Sequence, residues 1–243
     1  MQSNPYPNPI GALYDPRIIY VMPLYQREYC WENKELSNYR DDLEKVFASA
    51  TSPSADPDSI FLGAVVLQEV EGASASQSRH MTVIDGQQRI TTMYLTIAAL
   101  SEYAYERGWK DDSKSIIERH LVSNGQGTRN EPVLMPTAKD TRQFYSILRG
   151  LRGHLITIPS SGYGEETGKL KEAYKYIYDS IVSELIEEMD SEPSKNTFDN
   201  FLDSFLNNFV IADITLSKPH NANEVFDRLN QRGQRLGVID LIR

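Results

Sequence analysis

Apolar positions recur along this chain in two different periods, and the densest chemistry sits where one period gives way to the other. Residues 17–23, Arg-Ile-Ile-Tyr-Val-Met-Pro, join β-branched and aromatic side chains to a closing proline and predict a strand or strand edge. From Asn33 onward, Leu36, Tyr39, Leu43, Val46 and Phe47 step by threes and fours through a charged segment and predict an amphipathic helix. Turn-forming residues fill 51–59 and 72–78, and the nearly continuous apolar run over 60–70 between them predicts a buried strand. A further strand over 81–84 leads into a helix with Ile90, Met93, Tyr94, Ile97 and Leu100 on one face. Helices are predicted over 113–122, 139–148 and 170–189, a strand over 209–216, and a short helix over 223–230 that Gly233 closes.

This order predicts an α+β fold: a mixed sheet with flanking helices, interrupted by a helical insertion. The expected division is 1–110, a helical subdomain over 111–200, and a returning strand and helix over 201–243. No period of 20 to 50 residues repeats, which excludes a solenoid. The 243 residues, 40% hydrophobic and 24% charged, suffice for a substantial core. The longest apolar stretch, 61–67, is interrupted by Gly63 and falls far short of the roughly 20 residues that cross a bilayer. The first ten residues carry no basic side chain and no apolar run, and Cys30 is the one cysteine, so a cytoplasmic location is expected. A new apolar helical pattern begins just before the final residues Asp240-Leu241-Ile242-Arg243, and a longer polypeptide is expected.

The net charge of −9, from 25 Lys and Arg against 34 Asp and Glu, excludes a protein that coats DNA by neutralising phosphates broadly. It leaves room for a local patch. The junction Ile84-Asp85-Gly86-Gln87-Gln88-Arg89-Ile90-Thr91-Thr92 has the makings of an anion site: a glycine for a tight turn, the open N–H groups of a first helical turn, and the dipole behind them. Arg89 adds a planar charged fork, Gln87 and Gln88 neutral donors, and Thr91 and Thr92 hydroxyls, while Asp85 can hold a metal or orient a water. A plainer reading makes Asp85 an N-cap and Gly86 a turn former.

A second cluster, Pro23-Leu24-Tyr25-Gln26-Arg27-Glu28-Tyr29-Cys30-Trp31, sets flat apolar faces around a cation and suits a nucleotide or nucleic acid. Its plainer reading places Tyr29 and Trp31 in the core and pairs Arg27 with Glu28 or Glu32. A third lies near the end, where residues 218–243 hold five Lys and Arg against three Asp and Glu, and where Arg228, Arg232 and Arg235 can meet phosphates or simply face solvent. His80, His120, His154 and His220 are too scattered for a metal site.

Taken together, Tyr25-Gln26-Arg27 with Tyr29 and Trp31, Phe61-Leu62-Gly63, residues 84–92, and then Phe226, Leu229-Asn230, Arg232-Gly233, Leu236 and Asp240-Leu241 resemble, in order and spacing, the N-terminal domain of GmrSD-type modification-dependent restriction proteins. The resemblance implies a ParB-like fold and a cytoplasmic domain that binds and hydrolyses a nucleoside triphosphate, GTP or ATP, with Mg²⁺, in defence against phage DNA. It implies Asp85, Gln88 and Arg89 as catalytic residues, Asp85 as the metal ligand, and Gly86, Gln87, Arg89, Thr91 and Thr92 as nucleotide contacts. Asn230 and Arg232 add phosphate contacts. By similarity to phosphorothioate-sensing members, Tyr25, Gln26, Arg27 and Tyr29 sense modified DNA. Expected partners are that DNA, the nucleotide, a C-terminal nuclease domain of the same polypeptide, and further copies in a homo-oligomer. Two other functions stay open: a nucleotide- and DNA-binding module without turnover, and a ParB-like nuclease that uses Asp85.

Overall fold

A computed structural model describes residues 2–3, 7–50, 59–70, 78–123, 130–152, 156–157 and 166–216. The predicted helix over 223–230, the basic cluster with Asn230 and Arg232, His154, His220 and the chain end lie outside the described residues.

The chain starts with two short strands, β1 (Gln2–Ser3) and β2 (Asn8–Pro9), and a 3₁₀ turn over Ile10–Leu13. β3 (Ile18–Val21) and α1 (Asn33–Ala50) follow, and α1 buries Leu36, Tyr39, Leu43, Val46 and Phe47, the five residues of the predicted stripe. β4 (Ile60–Glu69) and β5 (Arg79–Asp85) pair antiparallel. Next come α2 (Gln87–Glu106) and α3 (Lys110–His120), the short β6 (Leu134–Met135) and α4 (Thr141–Gly150). The helix predicted over 170–189 is divided into α5 (Lys169–Tyr176), a π-helical segment over Ile177–Ser183, and α6 (Glu184–Met189). The wider π turn rephases the apolar stripe, so that Val182, Leu185 and Ile186 stay buried after Ile177 and Ile181. α7 (Lys195–Asn208), absent from the predicted elements, is capped by Ser194, whose hydroxyl accepts the Thr197 N–H at 3.1 Å, and buries Phe198, Phe201 and Phe205. β7 (Phe209–Leu216) closes the described chain on the predicted strand.

These strands form a mixed sheet in the order β1-β7-β4-β5-β3-β6, with β2 also on β7. β4 and β7 run parallel, as do β5, β3 and β6, and the two groups meet antiparallel at β4–β5. The α+β class is therefore as expected. One buried cluster joins Val65 and Val83 of the sheet to Met93, Ile116, Phe144, Leu170, Ile177 and Phe198, so the helices of the middle section share the core of the sheet.

α2 is buried along both its apolar and its hydroxyl-bearing faces, as a helix at the centre of a domain must be. Three of its buried hydroxyls are paired across segments: Thr92 with the Tyr29 hydroxyl at 2.8 Å, Thr96 with that of Tyr39 at 3.0 Å, and Ser101 with Ser113 at 3.1 Å, whereas the buried Tyr103 hydroxyl has no partner. At its far end Tyr174 and Tyr178 donate to Glu102 and Glu106. Side chains from the 25–31 loop, α1 and the π segment thus fix the helix whose start carries the candidate site.

His120 supplies a pH prediction. Its ring stands edge-on to Tyr14 at 5.3 Å, its Nδ1 is buried without a partner, and burial, aided by Arg119, pushes its pKa down to about 4. On acidification the unfolded chain therefore takes up this proton first. The associated stability is intact above about pH 6.5 and is lost as pH falls toward 4, a change of about 3 kcal/mol. Asp140 and Asp213, whose carboxyl pKa values burial raises, act in the opposite sense. The measurement is therefore the difference in urea-unfolding free energy between the parent and His120→Phe, at pH 7 and at pH 4.5. An unchanging difference would contradict a buried neutral imidazole.

Candidate functional site

The junction of β5 and α2 is built around Gly86. Its φ of +94° and ψ of 7° lie in the left-handed region, and an added Cβ would stand 2.9 Å from Val65 Cγ2 and 3.2 Å from Val65 Cα. Only glycine lets the chain turn there while lying against β4. The first intrahelical bond runs from the Ile90 N–H to the Gly86 carbonyl at 3.0 Å, and no side chain caps the helix. Asp85 is therefore not the side-chain cap of the plainer reading. The end of this 20-residue helix keeps its open N–H groups and the positive end of its dipole.

Arg89, one turn along, reaches back to β4. Its Nη2 donates to the Ala64 carbonyl at 2.5 Å and to Asp85 Oδ2 at 3.4 Å. β4 makes room for it with a register shift between Phe61 and Ala64, where Gly63 has φ +110°; a Cβ on Gly63 would stand 3.0 Å from Arg89 Nη1. A bulge beside a site that re-aims a group is a common use of such irregularities. Here it presents a carbonyl to a guanidinium. Arg89 Nε and Gln87 Oε1 are buried without a hydrogen-bond partner. Unpaired buried polar atoms are rare in folded proteins, and in a cleft wall they suit a ligand that brings its own donors and acceptors.

The two sequence clusters, some sixty residues apart, face one cleft. Tyr25, Gln26, Arg27 and Trp31 on one side and residues 85–89 on the other line a cavity of about 510 Å³. Tyr25 is 44% exposed, Leu24 at the loop tip 90%, and Arg27 is exposed. Glu28 and Glu32 pair with Lys139 and Lys169. No ion pair engages Arg27 among the described residues, so its expected partners are taken by other cations.

The glutamines do something the sequence did not suggest. Gln88 Nε2 donates to the Glu28 carbonyl at 3.2 Å while its Oε1 accepts the Cys30 N–H at 2.8 Å, as a neighbouring strand would. Gln87 Nε2 donates to the Arg27 carbonyl at 2.5 Å, and Gln26 Nε2 returns a bond to the Ile84 carbonyl at 2.9 Å. Gln88, expected to be catalytic, thus has both ends of its amide on the loop backbone and acts as a clamp. Tyr29, expected to sense DNA, is 1% exposed; its hydroxyl meets Thr92, and burial holds its phenol above the usual range. Thr91 and Thr92 are buried, and Thr92 Oγ1 also bonds the Gln88 carbonyl at 2.9 Å. These three residues stand behind the cleft and hold its wall. Asp85, Gly86, Gln87, Gln88 and Arg89 line it with Tyr25, Gln26, Arg27 and Trp31. Gly63 and the Ala64 carbonyl were not among the expected site residues.

Over residues 10–243 the sequence matches the family described as the N-terminal domain of the GmrSD restriction endonuclease. The chain belongs to the GmrSD N-terminal domain family. A comparison with curated proteins returns no match. Membership gives this GmrSD-type domain a role in a restriction system, the setting of antiviral defence. The match covers both walls of the cleft. Among the described residues no helix is long and apolar enough to cross a membrane, and no three His, Cys, Asp or Glu side chains gather as a metal site.

Proposed function

We propose that this GmrSD-type domain binds and hydrolyses a nucleoside triphosphate, GTP or ATP, and couples the reaction to recognition of modified DNA in an anti-phage restriction system. The observation that carries this is the shared cleft, with an uncapped helix start and an arginine on one wall and an exposed aromatic and cationic loop on the other. Phosphate oxygens match the open N–H groups of α2 and the partly exposed guanidinium of Arg89. Asp85, whose side chain is 46% exposed, is the carboxylate available to Mg²⁺, which commonly takes one or two protein carboxylates and completes its shell with water and phosphate oxygens. The ion would neutralise charge on the transferred phosphoryl group.

Tyr25 and Arg27 offer the DNA side of the cleft. A sulfur in place of a non-bridging oxygen is larger and less strongly hydrated, so a partly apolar loop favours it where a purely cationic one does not. The cytoplasm is the matching location, and a nuclease domain elsewhere in the polypeptide would receive the signal. One observation favours the runner-up, a binding module without turnover: the amide donors of both glutamines are engaged by the loop, which leaves Asp85 and Arg89 as the charged groups for chemistry. Phosphate release from GTP and from ATP, with Mg²⁺ and with or without phosphorothioate duplex, separates the two. The expected result is release that the modified duplex stimulates. Calorimetric nucleotide binding without release would select the module, and neither binding nor release would remove the nucleotide reading.

A further inference from the structure

Asp140 occupies the N-cap position of α4, where an aspartate ordinarily accepts an N–H of its own helix, a bond worth about 1 kcal/mol. It makes no such bond. Only 3% exposed, its carboxylate turns away from the helix and through Oδ2 accepts two hydrogen bonds at 2.8 Å, from the Tyr29 N–H and from the Thr137 hydroxyl. The first crosses 111 positions of sequence. The Tyr29 N–H lies between the Glu28 carbonyl and the Cys30 N–H, both already held by Gln88. The loop backbone is therefore gripped from α2 on one side and from the start of α4 on the other.

We propose that Asp140 positions the DNA-contacting loop: through the hydrogen bond from Tyr29 to its buried carboxylate, residues 137–141 become part of the recognition apparatus. The role rests on the reading of Tyr25 and Arg27 as DNA contacts. The geometry gives it a physical basis. Release of the Tyr29 N–H leaves the loop backbone held from the α2 side alone, by Gln88 at Glu28 and Cys30 and by Gln87 at Arg27, so the segment bearing Tyr25 and Arg27 loses its second support. Thr137 keeps Oδ2 aimed at the loop, so it is the second member of the latch. A buried carboxylate forgoes hydration, and its two charge-assisted bonds compensate only while both donors remain in place.

The test compares the parent chain with Asp140→Ala, Asp140→Asn and Thr137→Val. Backbone amide exchange at Tyr29 is read by NMR, and the affinity for a fluorescent duplex with phosphorothioate linkages is read by anisotropy, with thermal unfolding as a control. In Asp140→Ala, exchange at Tyr29 is expected to rise and duplex affinity to fall, each about tenfold, the scale of one lost hydrogen bond to a charged group. Asp140→Asn keeps an oxygen that can accept both bonds and is expected to restore both readouts to within about threefold, although the charge is gone. A merely structural role would lower the unfolding temperature and the active fraction without changing the dissociation constant of the folded molecules. Thr137→Val, which keeps the shape and removes the hydroxyl, is expected to loosen Tyr29 less than Asp140→Ala does, and it serves if the alanine variant does not fold. The proposal is overturned if Tyr29 exchange is unchanged in Asp140→Ala, if asparagine fails to rescue, or if exchange rises while affinity holds. If the parent binds no duplex while Tyr29 exchange follows the latch, it is the DNA reading of the loop that fails.

Discussion

Arg89→Ala is expected to lower nucleotide turnover about 10²- to 10³-fold, the range found when one preorganised donor to developing charge is removed from an enclosed site. Nη2 anchors the side chain to the Ala64 carbonyl and Asp85, which fixes the plane of the guanidinium. Nε is buried without a partner, and the side chain, 28% exposed, remains part of the cleft wall. Preorganisation of this kind is what lets a cation favour the transition state over the bound nucleotide. Arg89→Lys keeps the charge but has no rigid fork to hold a carbonyl, a carboxylate and a phosphate together, so it is expected to recover little of the rate. Arg89→Ala also leaves the Ala64 carbonyl without its side-chain donor, a stability cost of about 1–3 kcal/mol. Turnover must therefore be reported per folded molecule. If Arg89→Ala shows that stability loss with the parent's kcat, the guanidinium is only a bolt between α2 and β4.

The elements that flank this cleft are legible in the sequence because their pattern is local. Arg17–Pro23, the 60–70 run and the 81–84 strand each announce themselves by period and by their bounding turns, and the change of period at Asp85 marks the helix start that the structure shows. What escaped was set by contacts between distant segments. A glutamine reads the same in sequence whether its amide faces a phosphate or the Cys30 N–H, and only the approach of the 25–31 loop to α2 decides. Tyr29 and Thr92 both adjoin residues that line the cleft, but the turn of each element directs them at one another. Gly63 matters through a guanidinium 26 positions away, and Asp140 through an N–H on a different part of the chain. α7 is a different case: Phe198, Phe201, Leu202, Phe205 and Leu206 step by threes and fours onto the core, so its signal is present in the sequence although α7 is absent from the predicted elements.

Gly86→Ala tests the turn on which both walls depend, and it is expected to be the most damaging single methyl in the site. The left-handed backbone alone costs an alanine about 1–2 kcal/mol. The new Cβ also meets β4, 2.9 Å from the stiff Val65 side chain and 3.2 Å from its Cα, and overpacking of that kind costs about 1–3 kcal/mol more. The sum, about 2–5 kcal/mol, corresponds to a fall in unfolding temperature of about 5–15 °C for a chain of this length. The two components can be separated with Val65→Ala. The double variant Val65→Ala/Gly86→Ala removes the contact at Cγ2 and leaves both the backbone strain and the approach to Cα, so Gly86→Ala should cost less in the Val65→Ala background than in the parent. Nucleotide binding should not recover with it, because the open N–H groups of α2 are aimed by the dihedral angles at Gly86. If the double variant regains both stability and binding, the methyl clash was the whole effect and the left-handed turn is not what shapes the cleft.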